Sequence, residues 1–445
     1  RMWPRFQLER ITQELFENHY AGESMNYRSV RTSIVAIALL APMALASAQT
    51  KLRVWSPQDQ WKESLQYHAE HLDEFKKMHP DVEIEFVHIP YENYEAKYLT
   101  AFASKTNAPD VFNGKVAYYA GAVGVADQAP EDLQRLWTEK LLNVTQPFFQ
   151  IDGKWYGYPT SSDTGMMVYY NVDHFTEAGL DPDRPPQTFD ELLDYTKKLT
   201  RYDGSGKITR NGLAVRYTGA PVGIADKILP FVHAYGGRLY APDSSTAEGY
   251  LNGPQTLAAM QYLYDLVNTH KVASLELGKP VETFAAGKSA MIFREGWLEG
   301  WMAGNAPDIN YRVAPLPEGP GGYPGLSLLF SWSWMVNQFS PNKDIAWDWL
   351  RTVSNAETDL DLAKLEGYLP VWTENFEDPF VADRKDYEST KVIMAHPSGP
   401  YYDHPYINEI ATKIGEQVQA VFYGTDPNEA SEKAVKEVNK LLKKK

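Results

Sequence analysis

The amino-acid sequence predicts an α/β protein built as two lobes. Three observations carry this expectation. The chain has 445 residues, more than one ordinary hydrophobic core organises. Short apolar strands alternate with amphipathic helical stretches, the pattern of parallel pairing through helical crossovers. A small polar connector, Thr160-Ser-Ser-Asp-Thr-Gly165, separates two aromatic-rich strands, which marks a place where the backbone leaves one core for another.

Taken in order, Leu52–Trp55 reads as the first strand. Trp61 to Met78 follows as one helix, with Leu65, Ala69, Leu72 and Phe75 on its buried face. Pro80-Asp81 stops it, Val82, Ile84 and Phe86 alternate as a strand, and residues 91–104 are again helical. Asp152-Gly153 is a turn signal, and Pro159 ends the strand after it because proline has no N–H for a ladder. Thr188-Phe-Asp-Glu191 is a capping box opening a helix that carries Leu192, Leu193 and Leu199. Asp203-Gly-Ser-Gly-Lys207 reads as a hairpin turn, since it lacks the acidic positions and closing Glu of a calcium loop. Pro254 opens a helix whose stripe is Leu257, Met260, Tyr264 and Val267. Ala290–Phe293 is a short strand, and the Pro- and Gly-rich run 315–325 is a second candidate crossing between lobes. Trp332–Val336 is a strand, Ile345–Val353 a helix, and Asp426-Pro427 with Glu429 starts the last helix.

The formal net charge of −15 argues against nucleic acid and anionic membranes, which need a clustered positive surface. Lys443-Lys444-Lys445 reads as a solvated helix end. Residues 25–48 have the order of a secretory signal: Met25, then Arg28 and Arg31, an apolar run from Ile34 to Leu45, and Ala46-Ser-Ala48. Cleavage is expected after Ala48, leaving Gln49 first, and residues 1–24 then read as translated upstream sequence. With no cysteine, neither disulfides nor a lipid-bearing N-terminal Cys is expected, and a soluble periplasmic or secreted location fits.

Motifs for catalysis are weak. Gly287-Lys288-Ser289 ends like a phosphate loop, but Glu282 stands where its first glycine belongs. No Gly-x-Ser-x-Gly occurs. His68 and His71 are three residues apart on a helix but lack a third ligand, and two solvated histidines are expected. No metal and no cofactor is expected. The aromatic content is more informative: 12 Trp and 28 Tyr, with Trp61, Trp297 and Trp332 beside loop punctuation. Carbohydrate binding needs flat apolar faces for the C–H side of sugar rings and planar polar groups for the hydroxyls.

At this point the residues match a family. Asp152-Gly-Lys-Trp-Tyr-Gly-Tyr-Pro159 with Val168-Tyr-Tyr-Asn171, Pro185–Leu192, Phe284–Met291 with Gly296-Trp297, Val313–Pro317, and Glu366-Gly-Tyr-Leu-Pro370 occur in one order. Together they resemble the extracellular solute-binding proteins of ABC sugar importers, the maltose-binding-protein-like class. The resemblance implies the two-lobed periplasmic-binding-protein fold of class II type, with hinge-linked lobes each holding a mainly parallel sheet. It implies lobes of 49–163 with 316–369 and of 164–315 with 370–445, closing on a sugar. It further implies a sugar ligand, ABC permease subunits as partners, and a monomer. Asp163 falls at the family's hinge carboxylate and Trp297 at its stacking aromatic. Asp59 and Gln60 match polar contacts after the first strand, although position 60 is not basic here. Asn113 stands in a segment where the maltose protein has an aromatic, and Trp332 is a candidate substitute platform. Trp61, Asp226, Glu295, Tyr368, Tyr402 and Tyr406 complete the ligand-binding candidates. Two other readings compete: a secreted glycoside hydrolase or lyase using Asp163 and Glu295 as paired carboxylates, and a binding protein of the same fold for a non-sugar solute such as a polyamine.

Overall fold

The computed structural model describes residues 50–57, 62–90, 94–104, 107–143, 145–160, 163–164, 166–320, 322–325, 329–330, 332–395 and 404–444. The expected signal segment, the residues before it, and Asp59, Gln60, Trp61 and Tyr402 lie outside them. Among the described residues the strands, numbered in chain order, are β1 (Thr50–Ser56), β2 (Val82–His88), β3 (Val111–Gly114), β4 (Gln150–Ile151), β5 (Lys154–Trp155), β6 (Tyr158–Pro159), β7 (Asp163–Thr164), β8 (Met167–Asn171), β9 (Arg201–Tyr202), β10 (Ile208–Ala214), β11 (Ser289–Arg294), β12 (Tyr311–Ala314), β13 (Leu316–Gly319), β14 (Tyr323–Gly325), β15 (Leu329–Phe330) and β16 (Ser333–Val336). One sheet has the order β2-β1-β3-β16-β6 and the other β12-β8-β11-β10-β9. Each has its own core, the first around Val54, Phe112, Trp137 and Trp349, the second around Val168, Leu213, Phe231 and Ile410. The α/β class and the two lobes are therefore as the sequence implies.

The sheets are less parallel than expected. β1 pairs parallel with β2 and β3, and β10 with β11, but the remaining pairings within the two sheets are antiparallel. The reason is the crossings. β8 and β16 each enter their sheet from the other lobe, so they run against the strands that helical crossovers set in place. β6 lies at the edge of the first sheet, β7 lies in the connector, and β8 lies between β12 and β11 in the second sheet. The return strand β15 pairs antiparallel with β7, Phe330 opposite Asp163 and Leu329 opposite Thr164. Two crossings thus lie side by side. The Pro- and Gly-rich run is not itself the return: β13 and β14 form a hairpin there, and Gly319 is so close to the 221–234 helix that a Cβ on it would lie 1.7 Å from the Ala234 carbonyl oxygen. The chain rejoins the first sheet only at β16.

Local signals explain several elements. Asp152 and Gly153 both have positive φ, 50° and 73°, the mirror-image turn that matches strand twist and joins β4 to β5. Thr188 caps the Phe189–Leu199 helix by accepting from Glu191 N, while Glu191 accepts from Gln187 N one residue before the cap. Asp426 caps Pro427–Leu442 through Asn428 N and Glu429 N. Asp203 Oδ1 collects Ser205 N, Ser205 Oγ and Lys207 N, closing the β9–β10 turn.

Three local expectations are corrected. The helix expected over 61–78 is two helices among the described residues, Lys62–Glu70 and Asp73–Met78. Its buried face includes His68 in place of the exposed Ala69. His68 is not solvated. It lies among Phe86, Trp334 and Trp349, and burial, aided by His71, lowers it to about 3, which keeps it neutral. On the Pro254–Tyr264 helix the buried side is Thr256, Ala259, Met260 and Leu263, one residue round from the stripe expected, because the 407–422 and 427–442 helices cover that side.

Candidate functional site

The candidate site lies where the carboxyl-terminal ends of both sheets meet the crossings, the edge at which α/β folds bind ligands. From the first lobe it takes Asn113 at the end of β3. Asn113 is fully buried, with Nδ2 3.4 Å from Thr160 Oγ1, and its Oδ1 has no hydrogen-bond partner among the described residues. Thr160 is fixed in turn, donating from N and Oγ1 to the Trp332 carbonyl at 2.8 and 3.1 Å. Trp332 is half-buried and meets Tyr94 edge-on, with ring centroids 5.6 Å apart. Tyr94 was not among the sequence candidates, and neither was Thr160.

From the second lobe come Glu295 and Trp297, which follow β11. Trp297 Nε1 donates to Glu295 Oε2 at 3.1 Å, and Lys227 Nζ pairs with Glu295 Oε1. Both ends of that carboxylate are therefore engaged, and it sets the edge of the half-buried indole. Lys227 reaches it from the Pro221–Ala234 helix, which also carries the buried Asp226. Lys227 and Arg216 line a small, narrow pocket with Met166, Ile228, Phe231 and Phe293. The one sequence signal pointing to Lys227 is its place amid the apolar run 221–234; nothing in sequence pairs it with Glu295, 68 residues on.

The other candidates fall as follows. The Asp163 backbone stands in the crossing opposite Phe330. Tyr368 is buried, 4 % exposed, in the stretch after the 356–366 helix, where Arg384 donates to the Gly367 and Tyr368 carbonyls. Tyr406 is half-buried beside His404, and Lys444 Nζ lies 5.4 Å from its ring centre. The sequence thus marks the second-lobe pair Glu295–Trp297 and the first-lobe pair Asn113–Trp332, while Tyr406 belongs to a different junction.

That junction joins the lobes through Glu95, next to Tyr94. Asn408 Nδ2, on the second lobe's Ile407–Phe422 helix, donates to Glu95 Oε1 at 2.6 Å, and Tyr94 Oη donates to the same oxygen at 3.0 Å. Burial raises the Glu95 carboxyl, with Lys115 acting against the shift. Glu409 next to Asn408 is lifted to about 7, by burial first and then by the charge of Glu95.

Comparison with known proteins gives a consistent picture. The family model for bacterial extracellular solute-binding proteins matches residues 58–359. The sn-glycerol-3-phosphate-binding periplasmic protein of Pectobacterium atrosepticum is 24% identical over 458 residues, covering 94% of this chain and 96% of that one. The arabinooligosaccharide-binding protein of Halalkalibacterium halodurans is 23% identical over 310 residues, 67% of this chain and 66% of that one. Among solved structures, an ABC transporter solute-binding protein from Thermotoga lettingae bound with α-D-tagatose superposes with a TM-score of 0.76 at 24% identity, covering 88% of this chain and 100% of that one. Among the described residues no helix is long and apolar enough to cross a membrane.

Proposed function

The chain belongs to the bacterial extracellular solute-binding proteins, and we propose that it captures a carbohydrate between its lobes for an ABC importer. The observation that carries this is the Trp297 indole, half-buried and fixed at its edge by Glu295. It offers an apolar ring face with committed polar groups beside it, the pairing that a sugar's C–H face and hydroxyls require. Trp332 against Tyr94 is a second aromatic surface from the opposite lobe. The names of the compared proteins, for an arabinooligosaccharide and for α-D-tagatose, support the same class. Asp163, Asn113 and Asp226 are the polar groups assigned to hydroxyls.

In this reading ligand bridges the lobes and stabilises the closed form by its differential affinity, and the permease of the importer reads closure. No covalent step is involved, and the protein works as a monomer, free of a lipid anchor, in the periplasm. A thermal-shift screen over mono- to oligosaccharides tests it. A ligand at 100 times its dissociation constant adds about 2.7 kcal/mol. If no carbohydrate shifts the transition the assignment falls, and turnover of an oligosaccharide would replace it with the hydrolase reading.

A further inference from the structure

β10 and β11 are parallel neighbours with Ala214 opposite Ile292. Arg216 and Arg294 each lie two residues further along, so the two guanidinium-bearing residues sit side by side at the carboxyl-terminal ends of adjacent strands. Arg294 is 3 % exposed. Its Nε and one terminal nitrogen, and the Nε of Arg216, have no hydrogen-bond partner among the described residues. Among the described residues no carboxylate forms an ion pair with either. Among the described residues the Trp297 ring faces the charge, with its centre 6.0 Å from the Arg294 guanidinium carbon. Arg216 packs on the start of the Pro221–Ala234 helix, where Cβ atoms on Gly219 and Gly223 would each lie 2.9 Å from its terminal nitrogen. That helix is 14 residues long and has no side-chain cap, so its positive end faces a cation instead of offsetting one.

Two like charges held together, one of them buried and the other at a helix N-terminus, make an arrangement that an anion relieves and that a neutral ligand leaves in place. Burial and the neighbouring Arg216 both press Arg294 to lose its proton, opposed only by the charge of the exposed Glu282. In an acidic chain of net charge −15 carboxylates are plentiful, yet none of the described ones bonds here. Resting on the reading of this cleft as the ligand site, we propose that the bound solute carries an anionic group, a carboxylate or a phosphate, and that Arg294 and Arg216 hold it beside the Trp297 ring. The ligand class is then an acidic carbohydrate, a uronic acid or a sugar phosphate, with its ring on the indole and its charge on the guanidinium pair.

The test compares matched probes on the full chain by calorimetry and thermal shift. The probes are galacturonate and glucuronate with their short oligomers, glucose 1-phosphate and sn-glycerol 3-phosphate, and neutral galactose, glucose and their oligomers. The expected result is that an anionic probe binds and its neutral counterpart binds at least about 10-fold more weakly, the loss of one charge-assisted contact. Carboxylate and phosphate arms separate the two sources of the charge. Arg294→Met is expected to weaken anion binding by roughly 10- to 100-fold, while the ligand-free variant melts no lower than wild type, because an unpaired buried cation has been removed. A purely structural Arg294 gives a lower melting temperature instead, and that result overturns the proposal. So does equal binding of a neutral counterpart, unchanged anion affinity in Arg294→Met, or no binding of any anionic probe. Binding of neutral carbohydrate alone removes the anion site but leaves the sugar reading standing. Binding of sn-glycerol 3-phosphate with no carbohydrate does the opposite.

Discussion

Replacing Glu409 by Gln should change how stability depends on pH, in a direction fixed by the junction between the lobes. Glu409 lies on the 407–422 helix next to Asn408, which donates across to Glu95 of the first lobe. Burial, then the charge of Glu95, lift its carboxyl from the ordinary 4.5 to about 7, while Lys444 and the Tyr118 hydroxyl act against the shift. The folded protein therefore holds a proton that the unfolded chain releases earlier. With the folded value above the unfolded one, the stabilisation is complete below about 4.5 and is lost as pH rises through about 7. Full loss over that window amounts to about 3 kcal/mol. Glutamine keeps the shape and cannot ionise. Urea unfolding at pH 5, 6, 7 and 8 should give Glu409→Gln an advantage below about 1 kcal/mol at pH 5 that grows to approach that figure at pH 8. Glu299 and Asp359, also raised, titrate in both proteins, so the difference between the two curves reports Glu409 and its coupling to Glu95. Parallel curves would refute the reasoning, because they would mean the carboxyl is not buried against Glu95.

Other perturbations follow from close packing and from the site. Gly415→Ala should destabilise by about 3 kcal/mol in thermal or urea unfolding, since a Cβ there would lie 1.8 Å from the Pro221 carbonyl oxygen where the 407–422 and 221–234 helices cross. Asp359→Ala should cost about 3 kcal/mol by the same assay, because the carboxylate accepts from Val371 N, Trp372 N and Asn375 Nδ2 inside the first lobe. Trp297→Ala should weaken ligand binding by roughly 1–3 kcal/mol, read by calorimetry with the sugar found in the thermal screen; wild-type affinity would remove Trp297 from the site.

Features fixed within a few residues were readable from sequence. The Asp152-Gly153 turn, the Thr188 and Asp426 caps and the Asp203 turn each depend on neighbours, and each is present. So was the crossing near Asp163, because a small polar segment between two aromatic-rich strands has no place inside a single apolar core. Features that need distant partners were not readable. His68 is buried because Trp334 and Trp349, far along the chain, close over it. The return crossing lies beyond the Pro- and Gly-rich run because that run folds back on the 221–234 helix. Arg216 and Arg294 come together only through the register of β10 and β11, and Glu95 meets Asn408 across 313 residues. The one local hint was a charged pair, Arg294-Glu295, directly after an apolar strand.

The central claim is that the two lobes close on a carbohydrate. The chain has no cysteine, so Glu74→Cys on the first lobe and Lys197→Cys on the second, both at exposed positions, can carry a spin-label pair. The distance between labels should shorten and narrow in distribution on saturation with the carbohydrate identified by thermal shift, with Trp297→Ala needing more sugar for the same change. A carbohydrate that binds while leaving that distance unchanged would contradict closure, and with it the proposed way in which this protein signals its load to a transporter.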